Sequence, residues 1–450
     1  MTENYDIKLI NKRIISMILP VAFEGVLQMS AGLVMMGFIG RIDVITVSAL
    51  GISQRITQMV WALFKGITTG ASVFVAQYYG AKEWEKMKHV MQQTIISTIL
   101  VVLLLQVGIY TFSSQLLSIF DPSPELLENA NTYIKTVSFG LPFLAISLIV
   151  GGVLQGMGNA KTPMIITAIM NMINIVLGYL LIFGGLGFEP MGIRGAAIAT
   201  ALSQVAACII GLYVLFSRDG VLSSYLNKDF FRIDLSQIKS VYRVGLPTSM
   251  ENMFWQLAAI ILTRSILTYG ETAFAAHQLG LQAESISYMP SAGFGIAATA
   301  FIGQALGAGD KKLAKIYLRQ IMKGSLAMTS ISIIILVFFP KTMMTLLTDN
   351  PEVIALGAIY LILMGLVQLP QNASQVLIGA MRGAGYTNIP MLVAGTGLWG
   401  IRVPFTLVVV YILKLPIVAI WVVIAIDITF RFLFNLVLYK KKNIYEKTLV

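Results

Sequence analysis

Three glutamates interrupt long apolar runs of the chain, and their carboxyls are the first candidates for chemistry. Glu251 follows Pro247 by four residues, and Glu284 lies in the run LQAESISYMP. Glu24 repeats the spacing of Glu251, because it follows Pro20 by four residues. An ionisable group inside a bilayer is costly unless it is paired or faces water. We therefore predict that all three bind and release a cation, with Glu251 as the coupling residue. A structural, hydrogen-bonding carboxyl is the alternative for each.

Neutral oxygens on two neighbouring predicted helices offer a second candidate site. Asn174 and Tyr179 belong to the fifth apolar run, and Thr200 belongs to the sixth. Side-chain oxygens are the ligands that hard cations accept, so we predict a weak Na⁺ or substrate site at Asn174 and Thr200, with Tyr179 and Met35 as further possible ligands. Hydrogen bonding between helices is the competing interpretation.

Basic residues also fall inside apolar runs. Asp427 and Arg431 are four residues apart, a spacing that favours an ion pair on one helix. Arg264 and Arg402 either extend their charged ends toward the membrane surface or pair with the buried acids.

Composition places these residues in a membrane. Of 450 residues, 57% are hydrophobic and only 12% are charged, about half the share of a typical soluble domain. The net charge of +11 is expected in loops that face anionic lipid rather than in a nucleic-acid interface. One cysteine and two histidines exclude an internal disulfide framework and argue against a metal centre built on cysteine or histidine. Nothing in the sequence resembles a soluble catalytic domain, so we do not expect an enzyme. We expect no cofactor.

The apolar runs predict an all-α polytopic protein with twelve transmembrane helices, since about 20 apolar residues cross a bilayer. The first six predicted spans cover 14–39, 46–78, 90–112, 127–156, 163–183 and 193–216. The second six cover 242–269, 273–306, 316–339, 352–381, 390–411 and 416–439.

Lysine and arginine are distributed unevenly over the connections between these spans. The two termini and the even-numbered loops, counted with the adjoining ends of the spans, hold 22 of the 32, and the odd-numbered loops counted in the same way hold 4. Because basic residues concentrate in cytoplasmic loops, we predict a multi-pass protein of the cytoplasmic membrane with both termini in the cytoplasm.

The chain repeats itself at a constant offset of 227 residues. The pattern LP-x-x-x-E recurs, Gln77 and Gly80 recur as Gln304 and Gly307, and the turn GGVLQGMGNAKTPM recurs as IGAMRGAGYTNIPM. Six helices per repeat give both halves the same orientation, which predicts two six-helix lobes related by a pseudo-two-fold axis along the membrane normal. We expect an N-lobe at 1–216, a cytoplasmic linker at 217–241, and a C-lobe with a basic tail at 242–450.

This organisation indicates a transporter in which two lobes expose a central site to each side in turn. No nucleotide-binding motif G-x-x-x-x-G-K-[ST] is present, so the energy is expected to come from an H⁺ or Na⁺ gradient. The sequence shows no sign of an obligate oligomer, and we expect a monomer in lipid.

Several segments together resemble MATE multidrug exporters over about 14–439. They are GASVFVAQYYGA, AATAFIGQALGAG, VLQGMGNAKTPM, LLIFGGLGFEPMGIRGAAIAT and AHQLGLQAESISYMPSAGFGIAAT. The resemblance implies a twelve-helix antiporter that expels organic cations in exchange for H⁺ or Na⁺, with an acid on helix 7 that matches Glu251.

The family's N-lobe ion site is only partly kept. Its Asn and Thr match Asn174 and Thr200, but its two Asp positions correspond to Met35 and Gly178. Tyr386 replaces a further acid in the helix 10–11 turn. We therefore expect coupling through Glu251 and the C-lobe, and H⁺ rather than Na⁺.

The main rival is a flippase for a lipid-linked precursor, which would hold a pyrophosphate with basic residues. Arg264 and Arg402 support that alternative. A receptor or channel is disfavoured by the two-lobe repeat.

Overall fold

The computed structural model describes residues 5–185, 187, 189–223, 231–446 and 448–450. Helices make up the regular structure of these ranges. In chain order they are α1 (Ile7–Ile39), α2 (Val44–Ala81), α3 (Trp84–Ser118), α4 (Pro124–Ser138), α5 (Leu141–Gly156), α6 (Lys161–Phe183), α7 (Gly192–Phe216), α8 (Leu235–Leu267), α9 (Glu271–Gly307), α10 (Lys311–Phe338), α11 (Pro340–Thr345), α12 (Pro351–Leu366), α13 (Gln368–Gly383), α14 (Asn388–Gly397), α15 (Val403–Leu407) and α16 (Val418–Lys441).

Nine helical segments of the described residues are long and apolar enough to cross a membrane, and eleven are if each of two bent pairs forms one span. The helix α8 is the twelfth segment that matches a predicted span. It is 33 residues long but carries Lys239, Arg243, Glu251 and Arg264, which lower its hydropathy. Each predicted span therefore corresponds to a helical segment of the structure.

Two predicted spans are bent rather than straight. The helices α4 and α5 meet at 52°, and α12 and α13 meet at 51°. A Pro-Glu pair that recurs at the offset of 227 residues, Pro124-Glu125 and Pro351-Glu352, begins both bent spans. Pro124 follows the capping residue Ser123, and Pro351 follows the capping residue Asn350. Proline suits this first helical position because no amide hydrogen bond is needed there.

The eleventh span contains two π-helical turns, Leu398–Arg402 and Val408–Ile412, on either side of α15. Such turns are rare and change the direction in which the following side chains point. The sequence prediction of one regular helix at 390–411 missed them.

The helix α8 begins inside the predicted linker 217–241. Asp234 caps it, because its carboxylate accepts hydrogen bonds from the amides of Ser236 (3.0 Å) and Gln237 (3.2 Å). Residues 224–230 of the linker lie outside the described residues.

The chain divides into two compact units. Unit 1 contains Met1–Ala22 (described from Tyr5), Ala76–Lys82 and Pro247–Val450. Unit 2 contains Phe23–Val75 and Glu83–Leu246. The division into lobes at 1–216 and 242–450 stays a prediction.

Candidate functional site

A buried carboxylate on α9 forms the centre of a polar cluster in unit 1. Glu284 is 6% exposed. Its Oε2 accepts a hydrogen bond from the Tyr360 hydroxyl at 2.7 Å, and its Oε1 accepts one from Gln368 Nε2 at 2.8 Å and a longer one from Gln371 Nε2 at 3.5 Å. Tyr360 and Gln368 lie on opposite sides of the bend between α12 and α13. These hydrogen-bond partners are neutral, and the described residues place no cation within salt-bridge distance of the carboxylate. Arg402 interacts with it only at longer range.

Three side-chain amides of α13 in this cluster have an unpaired oxygen. Asn372 donates to Ser287 Oγ at 3.0 Å and to Thr329 Oγ1 at 2.9 Å. The side-chain oxygens of Asn372, Gln368 and Gln371 are buried without a donor in the described part of the chain. Because buried polar atoms are normally paired, the cluster has spare acceptors of the kind that a proton carrier or a small cation uses.

Aromatic rings flank the cluster on the side of Tyr360. The His277 ring meets the Tyr360 ring edge-on at 5.3 Å between centroids, and the Trp421 ring does so at 5.4 Å. His277 is buried in α9.

Glu251 has a cationic partner, in contrast to Glu284. It is buried on α8, and its Oε2 lies 2.7 Å from Nη2 of Arg382 in the last turn of α13. No basic residue lies within a turn of Glu251 on its own helix, and the arginine comes from a position 131 residues further along the chain. Tyr288 of α9 lies within electrostatic range of both side chains of this pair and of Glu284.

A second ion cluster joins the π-helical turn at Leu398–Arg402 to α16. The fully buried Asp427 accepts from Nε of Arg402 at 2.8 Å and from Nε of Arg431 at 3.1 Å. Both guanidinium groups lie over the Trp255 ring, at 5.1 and 4.6 Å from its centroid. The predicted Asp427–Arg431 pair is confirmed, and Arg402 pairs with the same carboxylate.

Arg264, the other arginine predicted inside a span, is exposed in the last turn of α8. Cys208 is a buried free cysteine.

In unit 2, Glu24 is held by weaker and neutral donors. Thr167 donates to it at 3.2 Å and Gln155 at 3.5 Å, and Lys65 interacts with it only at longer range. Gln155 and Arg382 are 227 residues apart and occupy the same position in the two repeats. In each repeat, the glutamate that follows the proline contacts the polar residue that precedes the glycine turn.

The structure brings together Asn174 and Thr200 but not Tyr179. The Thr200 hydroxyl donates to Ala196 O at 2.9 Å and lies 3.4 Å from Asn174 Oδ1, and buried Tyr133 is hydrogen-bonded to it. Tyr179 is instead half exposed and packs against Phe38 and Phe183. The described residues show no hydrogen bond between Tyr179 and either Asn174 or Thr200.

Met35 occupies the place where the resemblance expects a carboxylate. Met35 is buried and lies so close to Gly178 that a Cβ there would come 2.7 Å from its sulfur. The site therefore offers two neutral oxygens beside an apolar thioether, with no carboxylate from either of the two replaced positions.

The partners Tyr360, Gln368, Gln371, Asn372 and Arg382 were missed by sequence reasoning. A signal was available for three of them, because the stretch QLPQNASQ interrupts an otherwise apolar predicted span. Among the described residues, no group of three or more His, Cys, Asp or Glu side chains could hold a metal ion.

The hydropathy, the helices of membrane-spanning length and the buried ion clusters define a polytopic membrane protein of the transporter class. The sequence model of the MatE family matches residues 20–180 and 247–408, one match in each repeat. The chain belongs to this family, which is a family of transporters and not of enzymes.

Named relatives match over most of the chain. The "Probable multidrug resistance protein NorM" of Thermotoga maritima is 31% identical, over 94% of this chain and 90% of its own length. The "Probable multidrug resistance protein YoeA" of Bacillus subtilis is 27% identical, over 95% and 94%.

Solved structures share the fold. A MOP superfamily transporter from Pyrococcus furiosus superposes with a TM-score of 0.88 at 20% identity, and the match covers 98% of this chain and 97% of that one. Its report ascribes a reversed polarity of the binding pocket to that protein. The predicted fold class, an all-α membrane protein with twelve spans in two six-helix halves, is confirmed.

Proposed function

We propose that the protein is a secondary antiporter that exports organic cations in exchange for protons. The names of its relatives favour small-molecule drugs as cargo. We place it in the cytoplasmic membrane as a monomer with both termini in the cytoplasm, in contact with lipid and without nucleic-acid partners.

The charge balance of unit 1 carries this proposal. Among the described residues of its helices, the charged side chains that are buried or half-buried are three acids and three arginines: Glu251, Glu284, Asp427, Arg382, Arg402 and Arg431. A proton bound at Glu284, or an organic cation bound near Glu251, leaves one excess positive charge. Both together leave two, which is costly in a low-dielectric interior. Proton and cargo therefore exclude each other, and mutual exclusion produces exchange.

Glu284 is the better proton carrier of the two glutamates. A buried carboxylate with neutral partners only is discharged most simply by a proton. Glu251 already has Arg382, so it needs no proton to be neutralised. The sequence prediction made Glu251 the proton carrier. We assign that role to Glu284 instead, while Glu251 keeps its role in attracting the organic cation.

Protons are favoured over Na⁺ because the Asn174–Thr200 pair offers only two neutral oxygens. Hard cations bind tightly where charged oxygens surround them, and Met35 and Gly178 supply none. Na⁺ exchange is the alternative that the experiment must separate.

The experiment is efflux of an organic cation from proteoliposomes under a pH gradient or a Na⁺ gradient, imposed separately. We expect a pH gradient to drive efflux in the wild type, and Glu284→Gln to lower it at least about tenfold. Glu271→Gln removes an exposed carboxyl from the same helix and should leave efflux unchanged.

Three results would contradict the proposal in different ways. Full efflux by Glu284→Gln would exclude Glu284 as the proton carrier. Efflux driven only by a Na⁺ gradient would show that Na⁺, and not H⁺, is the coupling ion. Movement of no organic cation under either gradient would overturn cation export and favour the lipid-precursor flippase.

A further inference from the structure

We propose that Arg382 is a tethered counter-ion that occupies the Glu251 carboxylate until cargo displaces it, and that this competition sets which cations the protein accepts. The inference rests on the proposed function, because it assigns the cargo-binding carboxylate of that transporter. It makes Arg382 a specificity-determining residue.

The geometry of the ion pair between Arg382 and Glu251 is weaker than the strongest one that these two side chains could form. Arg382 reaches Glu251 with one nitrogen, Nη2, at 2.7 Å, whereas an arginine can bind a carboxylate with two parallel hydrogen bonds. Its Nε is buried without an acceptor, and the described residues provide no hydrogen bond to Glu251 other than that of Arg382. A single contact gives way to a competing cation more easily than a bidentate one.

A displaced Arg382 keeps a favourable position. It lies in the last turn of α13, which ends at Gly383 before the turn residue Gly385. The carbonyl end of a helix carries partial negative charge, so a cation is stabilised there without a carboxylate partner. The guanidinium of Arg382 therefore remains stabilised when cargo takes its place at Glu251.

The first repeat shows that the fold does not require a charge at this position. Gln155 stands where Arg382 stands in the second repeat, and it faces Glu24 at 3.5 Å. A neutral side chain is therefore compatible with the glutamate, the proline and the glycine turn of the motif. The arginine adds to unit 1 a competitor for the carboxylate.

The surroundings fit an aromatic or quaternary cation as the displacing group. Tyr288 of α9 lies within electrostatic range of Glu251 and Arg382, and the residue is 49% exposed. An aromatic ring near a carboxylate attracts diffuse, weakly hydrated cations. Such cations also replace a guanidinium at lower desolvation cost than compact, strongly hydrated ones.

The test is equilibrium binding of radiolabelled tetraphenylphosphonium to the full-length purified protein at pH 8. Removal of the competitor by Arg382→Gln should tighten binding about tenfold. Arg382→Lys retains the charge and should stay within about twofold of the wild type. The double variant Arg382→Gln with Glu251→Gln should lose the gain.

Unchanged affinity in Arg382→Gln overturns the proposal, and so does a gain that persists in the double variant. Equal tightening by Arg382→Lys overturns it as well, since charge would then not be the cause. If Arg382→Gln does not fold, Arg382→Met supplies an uncharged side chain of similar length. If the wild type shows no gradient-driven efflux, the proposed function is rejected. The binding assay tests the role of Arg382 separately, because it does not depend on efflux.

Discussion

At the scale of single residues, the acids of unit 1 differ in what balances their charge. Asp427 is fully buried between two arginines, whereas Glu284 is buried among neutral donors. Removing the charge of Asp427 leaves two guanidinium groups without an anion. Replacing Glu284 by glutamine keeps one oxygen that accepts from Gln368, while the new NH2 faces the Tyr360 hydroxyl, which can accept as well as donate.

These environments predict opposite effects on stability. Asp427→Asn should lower the stability by about 3 kcal/mol or more, the usual cost of breaking a buried ion pair from one side. Glu284→Gln should leave the thermal midpoint within a few degrees of the wild type. Thermal unfolding in detergent, followed by tryptophan fluorescence, measures both. An Asp427→Asn variant as stable as the wild type would show that the two arginines do not depend on this carboxylate.

At the scale of elements, the ends of α2 and α9 approach so closely that only glycine fits. A Cβ on Gly80 would clash with the backbone carbonyl of Gln304, and one on Gly307 would clash with that of Gln77. The two repeats of the Gln-x-x-Gly motif thus contact each other reciprocally. Gln77 extends the contact, because its side chain donates to Gly383 O at 2.8 Å and accepts from the amide of Leu449 at 2.7 Å.

Gly80→Ala should therefore destabilise the protein by about 1–3 kcal/mol, as overpacking does. Gly108→Ala is the matched control, since a Cβ at that helical position meets no other atom within 4 Å, and alanine favours a helix. Midpoints of thermal unfolding should fall for the first variant and stay level or rise for the second. Equal midpoints would mean that α2 and α9 can move apart at no cost.

The start of α8 gives a prediction that depends on pH. The His89 ring, 3.1 Å from the Asp234 carboxylate, and the amides of Ser236 and Gln237 hold the pKa of Asp234 below its usual value. A lowered carboxyl pKa contributes stability above the pKa of the unfolded chain, about 4, and the contribution is lost as pH falls through the folded value.

Asp234→Ala should accordingly cost about 1 kcal/mol at pH 7, as loss of a helix cap does, and the difference from wild type should shrink below about pH 4. Asp234→Asn keeps a capping oxygen and should cost less at pH 7. Unfolding midpoints between pH 3.5 and 7 test this. A difference between Asp234→Ala and wild type that does not change over this range would contradict the assignment.

The elements were more predictable from sequence than the site was. Helix starts follow from local chemistry, as at Pro124 and Pro351, where a capping residue precedes proline. The partners of the site carboxylates do not, because Arg382 reaches Glu251 across 131 residues and Arg402 is directed by a π-helical turn. Side-chain pairing of this kind depends on helix bends and rotations that apolar periodicity does not encode.

At the scale of the whole molecule, the distribution of basic residues predicts the orientation of the protein in the membrane. The termini and even loops, counted with the adjoining span ends, hold 22 lysines and arginines, against 4 for the odd loops counted in the same way. An even number of spans places both termini on one side, and the positive-inside rule assigns that side to the cytoplasm. Lys12 and Lys440 lie on the predicted cytoplasmic side and Lys341 on the opposite side, and all three are exposed.

Cysteine labelling tests this prediction with little background, because Cys208 is buried and is the single cysteine of the chain. In intact cells, a membrane-impermeant maleimide should label Lys341→Cys. Lys12→Cys and Lys440→Cys should react only after permeabilisation. The reverse pattern would invert the orientation and, with it, the direction of export. Labelling of the two termini from different sides would require an odd number of spans, and the two halves of the repeat could then not share one orientation in the membrane.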